Sequence, residues 1–193
     1  SPAFASHPTV ALLIGSEDPY RPFNLIMGGC EKELRRCGYR LIFMDTWAPT
    51  ARGRRQRESQ ALQSLLDSPV HGVIIWCQAP NTSAPLIREL LERSVPVVSI
   101  DRRITGLQLD FVGVDNLSAS AEIVEYLHGL GHRKILFATG TEEHGSAAKE
   151  REHAFNDTLK RLGLYFGPIV LLNTRGFYDD VVRLLDRTID ERF

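Results

Sequence analysis

Polar residues able to hold a hydroxylated ligand recur at one kind of place in this chain, at the end of an apolar run. They are Ser16-Glu17-Asp18, Asp45-Thr46, Gln78, Asp101-Arg102, Asp115-Asn116, Gly140-Thr141-Glu142 and Asn173-Thr174. Such carboxylates, amides and hydroxyls supply the acceptors and donors that a polyhydroxylated molecule needs to replace lost water bonds. In an open parallel sheet, ligands bind beyond the carboxyl ends of the strands, which is where these residues fall. The same residue types also cap helices at strand-to-helix junctions. Each alone reads as a cap; together they read as a polar cleft, with Ser16, Gln78, Asp101 and Asp115 as candidate ligand contacts.

Signatures of catalysis do not emerge. Gly15-Ser16-Glu17-Asp18-Pro19 has one glycine after the first apolar run, not the GxGxxG of a dinucleotide site. The sequence holds no GxxxxGK[ST] phosphate loop and no GxSxG nucleophile elbow. His128 and His132 are four apart, but Gly129 and Gly131 intervene and no HExxH forms, so a helix end is the reading rather than zinc. Nothing pairs two carboxylates for acid–base work. The chain reads as a binding protein, not an enzyme, with neither cofactor nor metal.

Cysteine usage points to a reducing, cytoplasmic compartment. Cys30 and Cys37 fall on one expected helix, about 10 Å apart along its axis, beyond the ~7 Å that a disulfide spans. Cys77 ends an apolar run and is expected to be buried; an odd count without CxxC gives no disulfide framework. A formal net charge of −1 argues against strong nucleic-acid binding by this segment itself. Arg52, Arg54, Arg55 and Arg57 form one local cluster, read as a solvated loop and helix start with a phosphate or acidic partner as the alternative. No run approaches the ~18 apolar residues of a spanning helix, so no membrane partner is expected.

The elements that must position the polar residues follow from the apolar pattern. Thr9–Gly15 is continuously apolar, as a strand buried on both faces should be. Further strands are expected over Tyr39–Asp45, Val70–Cys77, Val95–Asp101, Phe111–Asp115, Lys134–Thr139 and Ile169–Leu172, several of them rich in Val and Ile. Helical spacing marks Phe23–Arg36 with Gly38 as its stop, Glu58–Leu66, Ala84–Arg93, Ser118–Leu130, Ser146–Leu162 and a segment from Phe177. Alternation of this kind calls for a mostly parallel sheet with helices on both faces. Only Arg102–Asp110 separates the fourth and fifth runs, too little for a crossover helix. A first α/β lobe therefore spans 8–115 and a second begins at Asn116, covering 116–193.

These residues carry a resemblance. Val10-Ala11-Leu12-Leu13-Ile14, Tyr20-Arg21-Pro22-Phe23, Gly29 and Cys37-Gly38-Tyr39-Arg40-Leu41 are followed by Val70-His71-Gly72-Val73-Ile74-Ile75 and Val95-Pro96-Val97-Val98-Ser99-Ile100-Asp101-Arg102-Arg103. Then come Val114-Asp115-Asn116, Leu130-Gly131-His132-Arg133-Lys134-Ile135 and Arg151-Glu152-His153-Ala154-Phe155. Their order and spacing over about residues 9–190 resemble the effector-binding region of LacI/GalR transcription regulators. The resemblance implies a type I periplasmic-binding-protein-like fold, two doubly wound parallel-sheet α/β lobes, with the second lobe incomplete here. It implies a small-molecule effector, a sugar or related metabolite, held between the lobes. It further implies a homodimer, and operator DNA bound through a helix-turn-helix upstream of this segment. By position, Phe23 resembles the aromatic that lines the cleft, and Arg151 the second-lobe arginine that hydrogen-bonds effector. A periplasmic solute-binding protein feeding a sugar transporter is the alternative on the same fold. His71 stands where the family usually has Asp, and Arg21-Pro22 replaces its Asn-Pro-Phe neighbourhood; both departures are expected to bear on the ligand rather than the fold.

Overall fold

The computed structural model describes residues 8–16, 23–68, 70–140, 145–164 and 169–172, the last segment by its backbone. Glu17, Asp18, Arg21, Pro22, Thr141, Glu142, Asn173, Thr174 and the helix expected from Phe177 lie outside the described residues. The chain divides into two compact units, Ser1–Gly113 and Val114–Phe193.

The first unit alternates β1 (Thr9–Ile14), α1 (Phe23–Arg36), β2 (Arg40–Asp45), α2 (Ala51–Asp67), β3 (Gly72–Ile75), α3 (Pro80–Glu92), β4 (Val97–Ile100) and β5 (Asp110–Val112). Its five strands are all parallel, in the order β2-β1-β3-β4-β5. The continuous apolar run of β1 reflects burial on both faces. Ala11 and Leu13 pack with Ala61, Leu62, Leu65 and Leu66 of α2 and Ile87 and Leu90 of α3. Leu12 and Ile14 face the other way, against Trp76 and against Phe23, Ile26, Met27 and Cys30 of α1. The unit is therefore a doubly wound α/β sheet.

The second unit contains α4 (Asn116–Gly129), β6 (Phe137–Gly140), α5 (Ser146–Arg161) and β7 (Ile169–Leu172), with β6 and β7 parallel. Val124 of α4 and Phe155 and Leu159 of α5 share one apolar cluster with Ile135 and Leu164. Phe137 stacks obliquely on Phe155, their centroids 5.1 Å apart. Asn116 Nδ2 donates to Glu150 Oε2 (3.1 Å), and Ser120 Oγ donates to the Arg151 carbonyl (2.8 Å), tying α4 to α5.

Several element limits differ from the sequence expectation for identifiable reasons. α1 matches its expected span; Gly38 ends it at φ 79°, and the Tyr39 N–H returns to the Leu34 carbonyl. Cys37 falls in that turn rather than on the helix. α2 begins seven residues before Glu58, because Thr50 caps it by accepting from Gly53 N (3.1 Å). Its first turns carry the arginine cluster, with Arg54 donating to the Ala48 carbonyl (3.2 Å), and such residues show no apolar period. α3 likewise starts earlier, with Pro80 in its first turn. The strands other than β7 are shorter than their apolar runs, β1 by one residue. Lys134–Leu136 precedes β6 without pairing, although Ile135 is buried.

The junction between β3 and α3 depends on Glu58, whose acidic side chain has no solvent exposure. It lies on the same face of α2 as Ala61, Leu62, Leu65 and Leu66. Its Oε1 accepts from Ser83 Oγ (2.5 Å), Cys77 Sγ (3.1 Å) and Ala79 N (3.2 Å), and its Oε2 from Gln78 N (2.5 Å). A carboxylate placed at the amino end of α3 also meets the positive end of the helix dipole. Four donors compensate a burial that would otherwise cost several kcal/mol. Cys77 is consequently held as a thiol: its own burial, and then the carboxylate beside it, push its pKa up.

Removing Glu58 is therefore expected to be costly. Glu58→Ala strands four donors, three of them buried, and should lower unfolding free energy by about 3 kcal/mol or more. Glu58→Gln, which turns an amide donor toward donors, should lose about 2 kcal/mol. Urea denaturation checks both, with Glu89→Ala on the exposed Glu89–Arg93 pair as a control near zero; losses below about 0.5 kcal/mol in both Glu58 variants would contradict the assignment. A second expectation concerns Asp115, the cap of α4, which accepts from Ser118 N (3.0 Å) and Ser118 Oγ (2.8 Å). The Ser118 backbone N–H, then its hydroxyl, hold this carboxyl below its ordinary pKa. The folded value is depressed, so the cap stabilises the fold above the unfolded pKa and is lost as pH falls through the folded one. NMR titration should find Asp115 below a peptide aspartate and Ser118→Ala raising it part of the way back. An unshifted Asp115 would contradict the cap.

Candidate functional site

Because all five strands of the first unit run parallel, their carboxyl ends share one edge. Ser16 follows β1, Asp45 ends β2, Gln78 lies three residues beyond β3, and Asp101 follows β4. Three of the sequence candidates, Ser16, Gln78 and Asp101, are thus brought to the same edge, and each is half-buried.

What holds each of them differs. Asp45 closes the ends of β1 and β2 by accepting from Ser16 N (3.0 Å), Ser16 Oγ (2.8 Å) and Trp47 N (2.9 Å). Ser16 has therefore committed its hydroxyl proton and keeps oxygen lone pairs to offer. Gln78 is anchored by its backbone N–H on Glu58, while its amide reaches the Trp76 carbonyl at a long 3.5 Å. Its carboxamide can exchange that contact for a better one at little cost. Asp101 adopts φ 61°, a left-handed conformation that Asp tolerates better than most residues, and its N–H donates to the Val112 carbonyl (2.9 Å). Backbone strain of this kind concentrates at functional positions.

Phe23 opens α1 half-buried, its ring tilted on Phe43 at 5.3 Å between centroids. It packs against the cluster of Leu12, Ile14 and Trp76, so the core accounts for much of its surface. Asp115 and Arg151 belong to the second unit. Asp115 turns back on its own helix as the α4 cap; Arg151 is exposed on α5, with its carbonyl engaged by Ser120.

Of the other residues at this edge, Thr46 was named with Asp45 from sequence, whereas Trp47 and Trp76 were not singled out. Thr46 has no solvent exposure, and its Oγ1 has no hydrogen-bond partner among the described residues. Trp47 packs beside Gly15, where a Cβ would come within 3.3 Å of the Trp47 Cβ. Trp76 is buried at the end of β3. The signal for these was position, since all follow strands directly. Glu58 had a signal too: an acid three and four residues before Ala61 and Leu62 sits inside the apolar stripe.

His71 corrects an expectation. The His71 Nδ1 accepts from Thr9 N (3.0 Å), and the His71 backbone N–H donates to the Thr9 carbonyl (2.7 Å). That contact joins the amino ends of β1 and β3, opposite the edge that carries Ser16 and Gln78. The imidazole serves as the acceptor that a carboxylate would provide there, so this departure bears on the sheet rather than on a ligand.

The arrangement is suited to directional hydrogen bonding with a polar molecule. Among the described residues, no group of three or more His, Cys, Asp and Glu could hold a metal ion, and no helix is long and apolar enough to cross a membrane.

Comparison with known proteins extends this picture. The HTH-type transcriptional regulator PtxS of Pseudomonas plecoglossicida is 34% identical over 152 residues, 78% of this chain and 41% of that protein. The chain thus spans less than half the length of that relative. The crystal structure of the transcription regulator CcpA of Lactococcus lactis superposes with a TM-score of 0.75 at 18% identity, covering 96% of this chain and 65% of the other. That of the Cra transcriptional dual regulator from Pseudomonas putida, in complex with fructose 1-phosphate, gives 0.70 at 22% identity, covering 95% and 64%. These two likenesses show the fold. The sequence profile described as periplasmic binding proteins and sugar binding domain of LacI family matches residues 6–182. With its parallel α/β units and a match across most of its length, the chain belongs to the family of periplasmic binding proteins and LacI-type sugar-binding domains.

Proposed function

We propose that this chain is the effector-sensing domain of a bacterial DNA-binding transcription regulator, and that its effector is a sugar or a close metabolite. The observation that carries the reading is the family match over residues 6–182 together with 34% identity to a regulator. The Cra structure, a complex with fructose 1-phosphate, supports a carbohydrate as the ligand class.

In this reading, residues 8–115 and 116–193 are the two lobes of the effector domain. Ser16, Gln78 and Asp101 supply acceptors and donors to sugar hydroxyls, and the Phe23 ring offers an apolar edge to a pyranose or furanose face. At the end of the first lobe Asp115 contributes a carboxylate, and from the second lobe Arg151 contributes a guanidinium fork with directional donors. The residues do not constitute a catalytic set; the ligand is bound and released unchanged. Regulation then requires that effector bind one conformational state of the regulator more tightly than another, and so shift operator affinity by the same factor. Operator DNA, a homodimer and the cytoplasm are the partners and place that this function entails.

The family's description also covers periplasmic solute carriers. Mobility shift of promoter DNA by the gene product, altered by the sugar, separates a regulator from a carrier.

Isothermal titration of the chain against pentoses, hexoses, their phosphates and sugar acids should give saturable binding for one class. Silence across the panel would contradict the proposal. With the ligand in hand, Asp101→Asn and Arg151→Ala should each weaken binding about tenfold or more, the scale of a lost charge-assisted hydrogen bond. Unchanged affinity in both would remove these residues from the site.

A further inference from the structure

The short loop from β2 into α2 carries a tryptophan that neither apolar cluster of the first unit includes. Thr46 and Ala48, on either side of Trp47, are buried, whereas Trp47 itself is half-buried. The loop is nevertheless held tightly. Trp47 N donates to Asp45 Oδ1 (2.9 Å), the carboxylate oxygen that also accepts from Ser16 N (3.0 Å). The Ala48 carbonyl accepts from Arg54 (3.2 Å). A Cβ at Gly53 would come within 2.8 Å of the Ala48 Cβ, so the first turn of α2 packs directly on this loop.

The indole lies against the end of β1. Its Cδ1 is 3.6 Å from where a Cβ at Gly15 would stand. Cδ1 is bonded to Nε1, so the N–H edge of the ring lies beside Gly15, one residue before Ser16. Glycine lets the ring come this close to the backbone. Among the described residues the indole N–H has no hydrogen-bond partner. A rigid ring with an apolar face and one polar tip suits a ligand that is apolar on one side and hydroxylated at its rim. Sugar rings have that form, with C–H bonds on a face and hydroxyls around it.

We propose that Trp47 is the stacking platform of the ligand site. The assignment rests on the sugar-sensing reading and narrows it, since the ligand is then a sugar that gathers C–H bonds on one ring face. That face lies on the indole, a hydroxyl at the rim accepts from Nε1, and a neighbouring hydroxyl donates to a lone pair of Ser16 Oγ. Asp45 and α2 fix the loop beforehand, and the side chain has only two rotatable bonds. Little conformational entropy is therefore lost when a ligand covers the ring.

The test uses the 193-residue chain labelled with 5-fluorotryptophan, whose two tryptophans, Trp47 and Trp76, give separate fluorine resonances assigned by Trp47→Phe. D-ribose, D-glucose, fructose 1-phosphate and D-gluconate serve as probes, with calorimetry as the independent measure of binding. A sugar that binds should move the Trp47 resonance saturably, at the calorimetric midpoint. Trp47→Ala should weaken that sugar about tenfold or more, and Trp47→Phe, which keeps an aromatic face, should recover most of the affinity. If Trp47→Ala does not fold, the fluorine shift and the Phe variant still decide. A sugar that binds while the Trp47 resonance stays still would overturn the platform and leave the sugar-sensing reading standing. So would an Ala variant that binds as tightly as the unaltered chain, or a Phe variant that loses about tenfold. Calorimetric silence across the probes would overturn both.

Discussion

A buried carboxylate governs the centre of the first unit. Glu58 enters the apolar interface between α2 and the sheet, where an unpaired charge would be prohibitive, and survives because four donors converge on it. Those donors come from the end of β3 and the start of α3. The bonds therefore fix where the strand stops, where the helix begins and which way Gln78 faces. They also explain why the one buried cysteine, Cys77, is an inert donor rather than a nucleophile.

The same device recurs at other junctions. Asp45 gathers the backbone N–H groups of Ser16 and Trp47. Asp115 gathers that of Ser118. In each case an acid stands in for the missing acceptors of a loop or a helix start, and the backbone is held without help from a ligand. A strand-end edge built this way is rigid before any molecule arrives, which lowers the entropy cost of binding. Groups less completely engaged, such as the Gln78 carboxamide and the left-handed Asp101, are the ones with hydrogen-bonding capacity to offer.

The sheet and the order of its elements were legible in the sequence because apolar period reports burial directly. Thr9–Ile14, Phe23–Arg36 and the glycine stop at Gly38 are fixed by local pattern alone. The starts of α2 and α3 were hidden, since Arg52–Arg57 and Asn81–Thr82 are polar and carry no period. The roles of the strand-end acids were also hidden. Spacing places Asp45, Asp101 and Asp115 after strands, but whether a carboxylate turns back to its own loop depends on backbone geometry. His71 shows the reverse error: a difference from the family pattern drew attention as a ligand feature, whereas its partner is Thr9, sixty-two residues earlier in the chain. Glu58 was readable as an acid within an apolar stripe, though its four partners were not.

A crystal structure of the chain with a sugar that it binds tests the account most directly. It should show the sugar at the carboxyl ends of the strands, hydrogen-bonded to the Gln78 carboxamide and donating to the Asp101 carboxylate, while Ser16–Asp45 and the four bonds to Glu58 persist unchanged. A sugar seated away from that edge, or one that draws Glu58 or Asp45 out of its backbone bonds, would contradict it.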